Sequence, residues 1–215
     1  MLQLPDLTPR QRQTLGAYAD ELARLNRQFN LVAQSTMGDV WERHIQHSLV
    51  VAARPFPPGA VVVDWGSGGG LPAVPLAIAQ PDVQVVAVDS VGKKTEAVRL
   101  FARRLGLDNV TVWNGRAEAY AGPAPHAAVS RATAPLADLW GWFASVRQPW
   151  DGPVPDGGWP LGLVCLKGGD LADEMAALHA AHGGLAVEET PLDGVLGPGW
   201  ADKAVVCVHE AERAA

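Results

Sequence analysis

The sequence predicts an α/β protein: a mainly parallel sheet wrapped by helices, preceded by a helical extension. Three observations carry this. Apolar runs at 60–64, 83–89, 110–113, 126–130 and 162–167 alternate with helix-like stretches near 72–79, 93–106, 135–146 and 170–182. Two last strand candidates, at 185–190 and 203–209, are joined by a Pro- and Gly-containing loop too short for an ordinary crossover helix, so the final strand should return antiparallel. The first strand, finally, breaks from an acid into a glycine turn, Asp64-Trp65-Gly66-Ser67-Gly68-Gly69-Gly70-Leu71, that opens a helix. The 215 residues predict one domain, with the helical extension at 1–58 and the sheet-bearing core at 60–215. A chain of this size buries about 70% of its unfolded surface around one core.

The elements follow in order. Thr8-Pro9-Arg10-Gln11 reads as a helix start, with a hydroxyl cap, a proline in the first turn and a Gln three residues after the cap. Leu15, Tyr18, Leu22, Leu25 and Phe29 recur at three- and four-residue steps and form its apolar stripe. A second helix is expected from about 39 to 53, carrying Val40, Trp41, Ile45 and Leu49, until Arg54-Pro55-Phe56-Pro57-Pro58-Gly59 stops it. The stretch 148–160, rich in Pro, Gly and Trp, reads as a loop inserted before the fifth strand. Trp41, Trp140 and Trp142 sit in helical patterns and are expected in the core, whereas Trp150 and Trp159 are expected to be free for stacking.

Composition narrows the partners. A formal charge of −6, from 17 basic and 23 acidic residues, argues against wholesale attraction to nucleic acid, so any RNA contact must be local. No DNA partner is expected. The N-terminus lacks a basic segment followed by an apolar one, and no run of roughly 18 apolar residues exists, so a cytoplasmic protein without membrane attachment is expected. Cys165 and Cys207 lie in apolar strand-like runs and should behave as small hydrophobes rather than as a disulfide. The His44/His47 and His179/His182 pairs are spaced i, i+3 but lack further ligands, so no metal is expected. No G-x-S-x-G elbow or Ser/His/Asp order appears.

In an open α/β sheet, ligands sit beyond the carboxyl ends of the strands, and the unusual polar residues fall there. Gly66, Gly68 and Gly70 give G-x-G-x-G; the dinucleotide pattern would need glycine at 71, which is Leu71, so NAD is not expected. Asp89, 23 residues beyond Gly66, stands where an acid reaches ribose hydroxyls, or else caps the following helix. Ser90 follows it. Glu118, with the backbone of Ala117, is placed for an adenine edge. The helix after the second strand holds Lys93, Lys94, Arg99, Arg103 and Arg104 against one acid, Glu96. That is either a solvated face or, since Lys93 and Lys94 oppose the helix dipole, a surface for a polyanion. Arg131 and Lys167, just past the fourth and fifth strands, point into the expected crevice, unless structural salt bridges hold them.

Together these pieces resemble a known family, the bacterial small-subunit ribosomal RNA (guanine-N7)-methyltransferases of the glucose-inhibited-division B type. The matching residues span nearly the whole chain: Asn30-Leu31-Val32, Arg43-His44 with Ser48-Leu49, Asp64-x-Gly66-Ser67-Gly68-x-Gly70-Leu71-Pro72, Asp89-Ser90-x-Gly92-Lys93, Gly115-Arg116-Ala117-Glu118, Ser130-Arg131-Ala132 and Leu166-Lys167-Gly168. In this order they are specific; the glycine turn alone is not. The resemblance implies the class I methyltransferase fold, Rossmann-like, with seven strands and an antiparallel last strand. It implies S-adenosyl-L-methionine as cofactor, met by Gly66, Leu71, Ala117, Glu118 and Arg131; Ser67, Gly68, Gly70, Asp89 and Ser90 complete the expected cofactor site. The implied partner is 16S ribosomal RNA or the small subunit; Lys93, Lys94, Arg103, Arg116, Arg43 and His44 are expected to meet it, and a monomer is expected. Guanine N7 already carries an in-plane lone pair, so catalysis reduces to positioning and control of charge. Arg131 and Lys167 are accordingly expected to hold RNA phosphate or the guanine O6 edge. The base must be unpaired or flipped to enter. Three positions depart from the family pattern: Trp65 replaces a small aliphatic, Ala73 a glycine and His47 an acid. A methyltransferase acting on a small molecule or protein, or a non-catalytic cofactor sensor, would share the fold; the first predicts a crevice without a basic rim, the second cofactor binding without methyl transfer.

Overall fold

The computed structural model describes residues 2–131 and 133–211; the resemblance at Ala132 lies outside them. Helix α1 (Pro9–Phe29) starts on a closed capping box: the Gln11 N–H donates to Thr8 Oγ1 at 3.2 Å and the Thr8 N–H to Gln11 Oε1 at 2.9 Å. It buries Leu15, Tyr18, Leu22 and Leu25, with Phe29 half-buried. Asn30, at φ 50°, ends it in the left-handed region.

The second helix is not the regular element expected over 39–53. A 3₁₀ segment at Gln34–Asp39 leads into a π-helical turn at Trp41–Gln46, three α residues, α2 (His47–Leu49), and a further 3₁₀ turn at Val50–Ala52. The reason is burial all round. His44, Ile45 and every residue from His47 to Ala52 are buried, more than one stripe of a regular helix can present to a single core. Trp41 precedes that zone and is 39% exposed, not in the core as expected.

Beyond it, the chain alternates as predicted: β1 (Val61–Trp65), α3 (Ala73–Ala79), β2 (Gln84–Asp89), α4 (Gly92–Leu105), β3 (Val110–Asn114), β4 (Ala127–Arg131), α5 (Leu136–Val146), β5 (Gly162–Gly168), α6 (Ala172–Ala181), β6 (Leu185–Pro191), a short α7 (Asp193–Leu196) and β7 (Lys203–Glu210). The seven strands lie in the order β3-β2-β1-β4-β5-β7-β6. The first five run parallel, and β7 enters antiparallel to both β5 and β6. From β1 the chain moves outward on one side to β2 and β3, then returns from β3 to place β4 on the other side of β1. That reversal opens a crevice beyond the carboxyl ends of β1 and β4.

Strand side chains alternate between two cores. Val62, Val85, Val129, Val164 and Leu166 face α1, the 34–52 segment, α3 and α4. Val63, Trp65, Val86, Ala128, Leu163 and Cys165 face α5 and α6. Cys165 and Cys207 fall on opposite faces, both buried and free. The inserted loop is anchored by Trp159, which is buried, donates its indole N–H to the Val51 carbonyl at 2.8 Å and lies 4.6 Å from the Arg54 guanidinium. The free stacking surface expected there is absent, because this ring fills the joint between loop and extension. Trp150 is half-buried, edge-on to His126 at 4.8 Å. Among the described residues, no helix is long and apolar enough to cross a membrane.

Candidate active site

The glycine turn supports the site. Gly66, at φ +74°, lies so close to Thr133 that a Cβ would overlap that side chain, whereas at Gly68 a Cβ would only touch the Leu31 and Gly66 carbonyls and it is the φ of +55° that calls for glycine. The turn closes through the Leu71 N–H to the Ser67 carbonyl at 2.9 Å and joins β2 through the Ser67 N–H to the Val88 carbonyl at 2.8 Å. From α1, the Tyr18 hydroxyl donates to the Gly69 carbonyl at 2.7 Å. Asp89 is shared between turn and helix: Oδ2 accepts the Gly68 N–H at 2.9 Å and Oδ1 the Val91 N–H at 2.8 Å. Helix α4 itself has no side-chain cap, so the acid belongs to the turn more than to the helix.

Beyond these strand ends lies a crevice of about 290 Å³, close to the lower end of small-ligand pockets. Gly66, Asp89, Ser90, Ala117 and Glu118 line it, as do Lys94 and Arg116. Gly115, part of the family match, lines it too, with Val88, Val91, Thr133 and Trp142, which the sequence did not point to as site residues. Trp142 belongs to a helical pattern that reads as core, but it is half-buried and forms a wall, edge-on to buried Trp65 at 6.3 Å. Trp65 continues to Tyr120 at 5.3 Å and Tyr120 to Trp113 at 5.4 Å, so the departure at position 65 joins a chain of edge-on rings behind the Trp142 wall. Ser67, Gly68 and Gly70 do not line the crevice and act through the turn's backbone. The Leu71 side chain is buried in the apolar core, so it too could meet a ligand only through its backbone.

The surroundings fit a nucleoside-bearing cofactor. Exposed Glu118 offers a carboxylate to hydroxyl or amino groups, Trp142 offers a ring face, and Gly66 and Gly115 bring backbone to the rim. Ser67 Oγ, a donor and acceptor in the turn, and Asp64 Oδ1, an acceptor at the end of β1, are buried without a hydrogen-bond partner among the described residues. Asp64 holds the Ala73 N–H on Oδ2 at 2.9 Å. Burial pushes its carboxyl up to about 7, against the opposing pulls of that bond and of Arg131.

The cations separate into two groups. Arg131 alternates with Val129 and so turns to the face covered by α1 and the 34–52 segment, where its guanidinium Nη1 lies 3.1 Å from His44 Nδ1. It does not line the crevice itself. Among the described residues no carboxylate lies within ion-pair distance of Arg131, and none pairs with Lys93, Lys94, Arg103 or Arg116. Lys94 and Arg116 stand on the crevice rim with exposed Lys93 beside them. Arg103, ten residues along α4, lies about 15 Å away at 1.5 Å per residue. Arg43 is exposed and spends its charge on Asp39 at 3.4 Å.

Two expectations are overturned by burial. Lys167 does not face the ligand: its Nζ donates to Glu174 Oε2 and to the Ala134 carbonyl, each at 2.6 Å, on the α5/α6 side of the sheet. His44, expected at the RNA, is 6% exposed and engaged on both ring nitrogens. Desolvation, then Arg131 and Arg43, lower its pKa to about 4, so the ring is neutral. His47, in the place of the family's acid, packs on Trp200 at 4.7 Å and is neutral too, its pKa lowered to about 3 first by burial.

The family described as rRNA small subunit methyltransferase G (GidB) matches residues 11–183. The ribosomal RNA small subunit methyltransferase G of Salinibacter ruber (strain DSM 13855 / M31) is 52% identical over 205 residues, covering 94% of both chains. The protein of the same description from Chlorobium limicola (strain DSM 245 / NBRC 103803 / 6330) is 35% identical, covering 94% of this chain and 89% of its own. Among solved structures, the O-methyltransferase from Bacillus cereus in complex with SAH is similar at a TM-score of 0.56 and 14% identity, over 90% of this chain and 91% of that one. The ribosomal protein L11 methylase from Lactobacillus delbrueckii subsp. bulgaricus gives 0.58 at 13% identity, over 79% of each. At such identities these structures speak to the fold alone, which is that of the class I methyltransferases.

Proposed function

We infer the reaction from one premise: the chain belongs to the rRNA small subunit methyltransferase G family. We propose that it transfers the methyl group of S-adenosylmethionine to N7 of a guanine in small-subunit (16S) ribosomal RNA, as a cytoplasmic monomer. One observation carries the reading: a nucleoside-sized crevice at the switch point of the sheet has a rim of unpaired cations, Lys94 and Arg116, in an otherwise acidic chain. A small-molecule acceptor needs no such rim.

S-adenosylmethionine, when bound, supplies an electrophilic methyl on a sulfonium. The residues to hold it are Gly66, Asp89, Ser90, Ala117, Glu118 and Trp142 around the crevice. Each Asp89 oxygen already accepts one backbone N–H and retains a lone pair for a hydroxyl. No general base is required, since N7 presents a lone pair and no proton. The protein is built accordingly: Asp64 is sealed beneath the turn and both nitrogens of His44 are occupied. Lys93, Lys94 and Arg116 attract the RNA backbone, and Arg131 carries the charge nearest the end of β4. Its guanidinium offers N–H donors to a phosphate or to the guanine O6.

The test is methyl transfer from labelled cofactor to small-subunit RNA and to assembled small subunits, followed by nucleoside digestion. Label in 7-methylguanosine is the expected outcome; label in another nucleoside, or none with cofactor bound, overturns the reading. Glu118→Gln, at an exposed position, should weaken S-adenosylhomocysteine binding by calorimetry without altering the unfolding midpoint.

A further inference from the structure

We propose that His44 is the positioning residue for Arg131: it fixes the guanidinium through a one-way hydrogen-bond chain while leaving its positive charge uncancelled for the substrate. The inference rests on the reading that Arg131 serves the methyl acceptor. Arg131 Nη1 lies 3.1 Å from His44 Nδ1, His44 Nε2 lies 2.8 Å from Thr36 Oγ1, and Thr36 Oγ1 lies 2.7 Å from the Ala33 carbonyl. A guanidinium can only donate, so Nδ1 must accept. The ring proton then resides on Nε2 and goes to Thr36, whose own hydroxyl proton goes to Ala33. Every donor in the chain has one acceptor, and only one histidine tautomer satisfies all three bonds.

The choice of partner matters more than the distance. A carboxylate in the place of the imidazole would orient Arg131 equally well and would neutralise it. The neutral imidazole accepts one N–H and leaves the full charge and the remaining guanidinium N–H groups available. The site is also assembled late along the chain: His44 belongs to the extension and lies 87 residues from Arg131. The extension therefore supplies the geometry of a residue carried by the sheet.

The experiment is a double-mutant cycle in the full-length protein, read by single-turnover methylation of small-subunit substrate with cofactor and RNA saturating. His44→Ala should slow the step about tenfold, the lower end for losing a hydrogen bond to a charged group. Cofactor affinity by calorimetry should not move. His44→Asn, whose side-chain oxygen can take the place of Nδ1, should recover most of the rate. In an Arg131→Ala background, His44→Ala should add nothing, because its action runs through Arg131. Equal slowing by His44→Ala in both backgrounds overturns the proposal, as does a folded His44→Asn as slow as His44→Ala. Thr36→Val, at a half-buried position, removes only the second link and should slow the step by a smaller factor even if His44→Ala fails to fold; an unchanged rate there overturns the chain. If Arg131→Ala alone keeps the wild-type rate, the reading of Arg131 at the acceptor has failed, a result distinct from additivity.

Discussion

The ends of β4 and β5 place two basic residues side by side in the sheet, and the protein treats them in opposite ways. Arg131 pairs across the ladder with Leu166, so Lys167 comes one residue later and points to the other face. Lys167 is 6% exposed, and Glu174 from the first turn of α6 meets it at 2.6 Å. That acid is favoured there anyway by the helix dipole, and it also accepts the Leu136 N–H at 3.1 Å. Arg131 has no acid within ion-pair distance among the described residues, and its contact there is a neutral histidine. A cation at a strand end thus becomes a ligand group or a rivet according to whether the chain brings a carboxylate to it.

Four measurements break or sharpen this comparison. Lys167→Met should have the largest effect on stability, on the order of 3 kcal/mol by denaturant unfolding. This is the low end for a broken buried pair, because Glu174 is a third exposed and can rehydrate. The folded fraction should still methylate at nearly the wild-type single-turnover rate. Arg131→Ala should show the reverse pattern, a ten- to hundredfold slower single turnover with a nearly unchanged midpoint. If the two variants exchange phenotypes, the assignment of ligand group and rivet is inverted.

Acid separates the two ends next. The folded pKa values of His44 and His47, about 4 and about 3, lie below the ordinary 6.5. Their contributions are therefore whole above pH 6.5 and are lost as pH falls through 6.5 towards 4. Asp64, raised to about 7, works the other way: its contribution is whole below pH 3.8 and is lost as pH rises through 7. These two histidines against this one acid contribute a net slope of about one proton between pH 6 and 5, roughly 1.4 kcal/mol per pH unit, and His126, its pKa also lowered by burial, adds in the same direction. His47→Leu should reduce the slope by about one proton in unfolding titrations. A slope as steep as the wild type's would mean that His47 is not a buried neutral group. The smallest effect concerns salt. Neutralising about four phosphates with Lys93, Lys94, Arg116 and Arg131 predicts a slope of roughly −3 for log affinity against log salt, about 0.7 per contact. Lys93→Ala should remove one such step and Lys167→Met none.

Most of the fold was legible because it is written locally. Apolar β-branched runs end in turn residues, and Thr8-Pro9-Arg10-Gln11 encodes its own cap. The 34–52 segment was not legible as an irregular helix, because what distorts it is burial on every side by parts of the chain distant in sequence. The crevice was half legible: Asp89, Ser90, Ala117 and Glu118 follow strand ends, but Trp142 comes from a helix whose periodicity reads as core. Trp159 escapes the sequence for the converse reason, since a Pro/Gly-rich surrounding says nothing of the Val51 carbonyl 2.8 Å away. The Lys167–Glu174 pair, seven residues apart and straddling a strand end and a helix start, was within reach of inspection. The Arg131–His44 contact was not, because no spacing rule connects residues from extension and sheet.

The bond from Tyr18 to Gly69 ties the first helix to the turn beneath the crevice. Docking of that helix and ordering of that turn are consequently two readings of one equilibrium. Whatever occupies the crevice and stiffens the turn must, by thermodynamic reciprocity, make detachment of the first helix rarer by the same factor. Amide hydrogens along α1 then serve as a remote gauge of occupancy: their exchange slows when the crevice fills, although none of them touches the ligand.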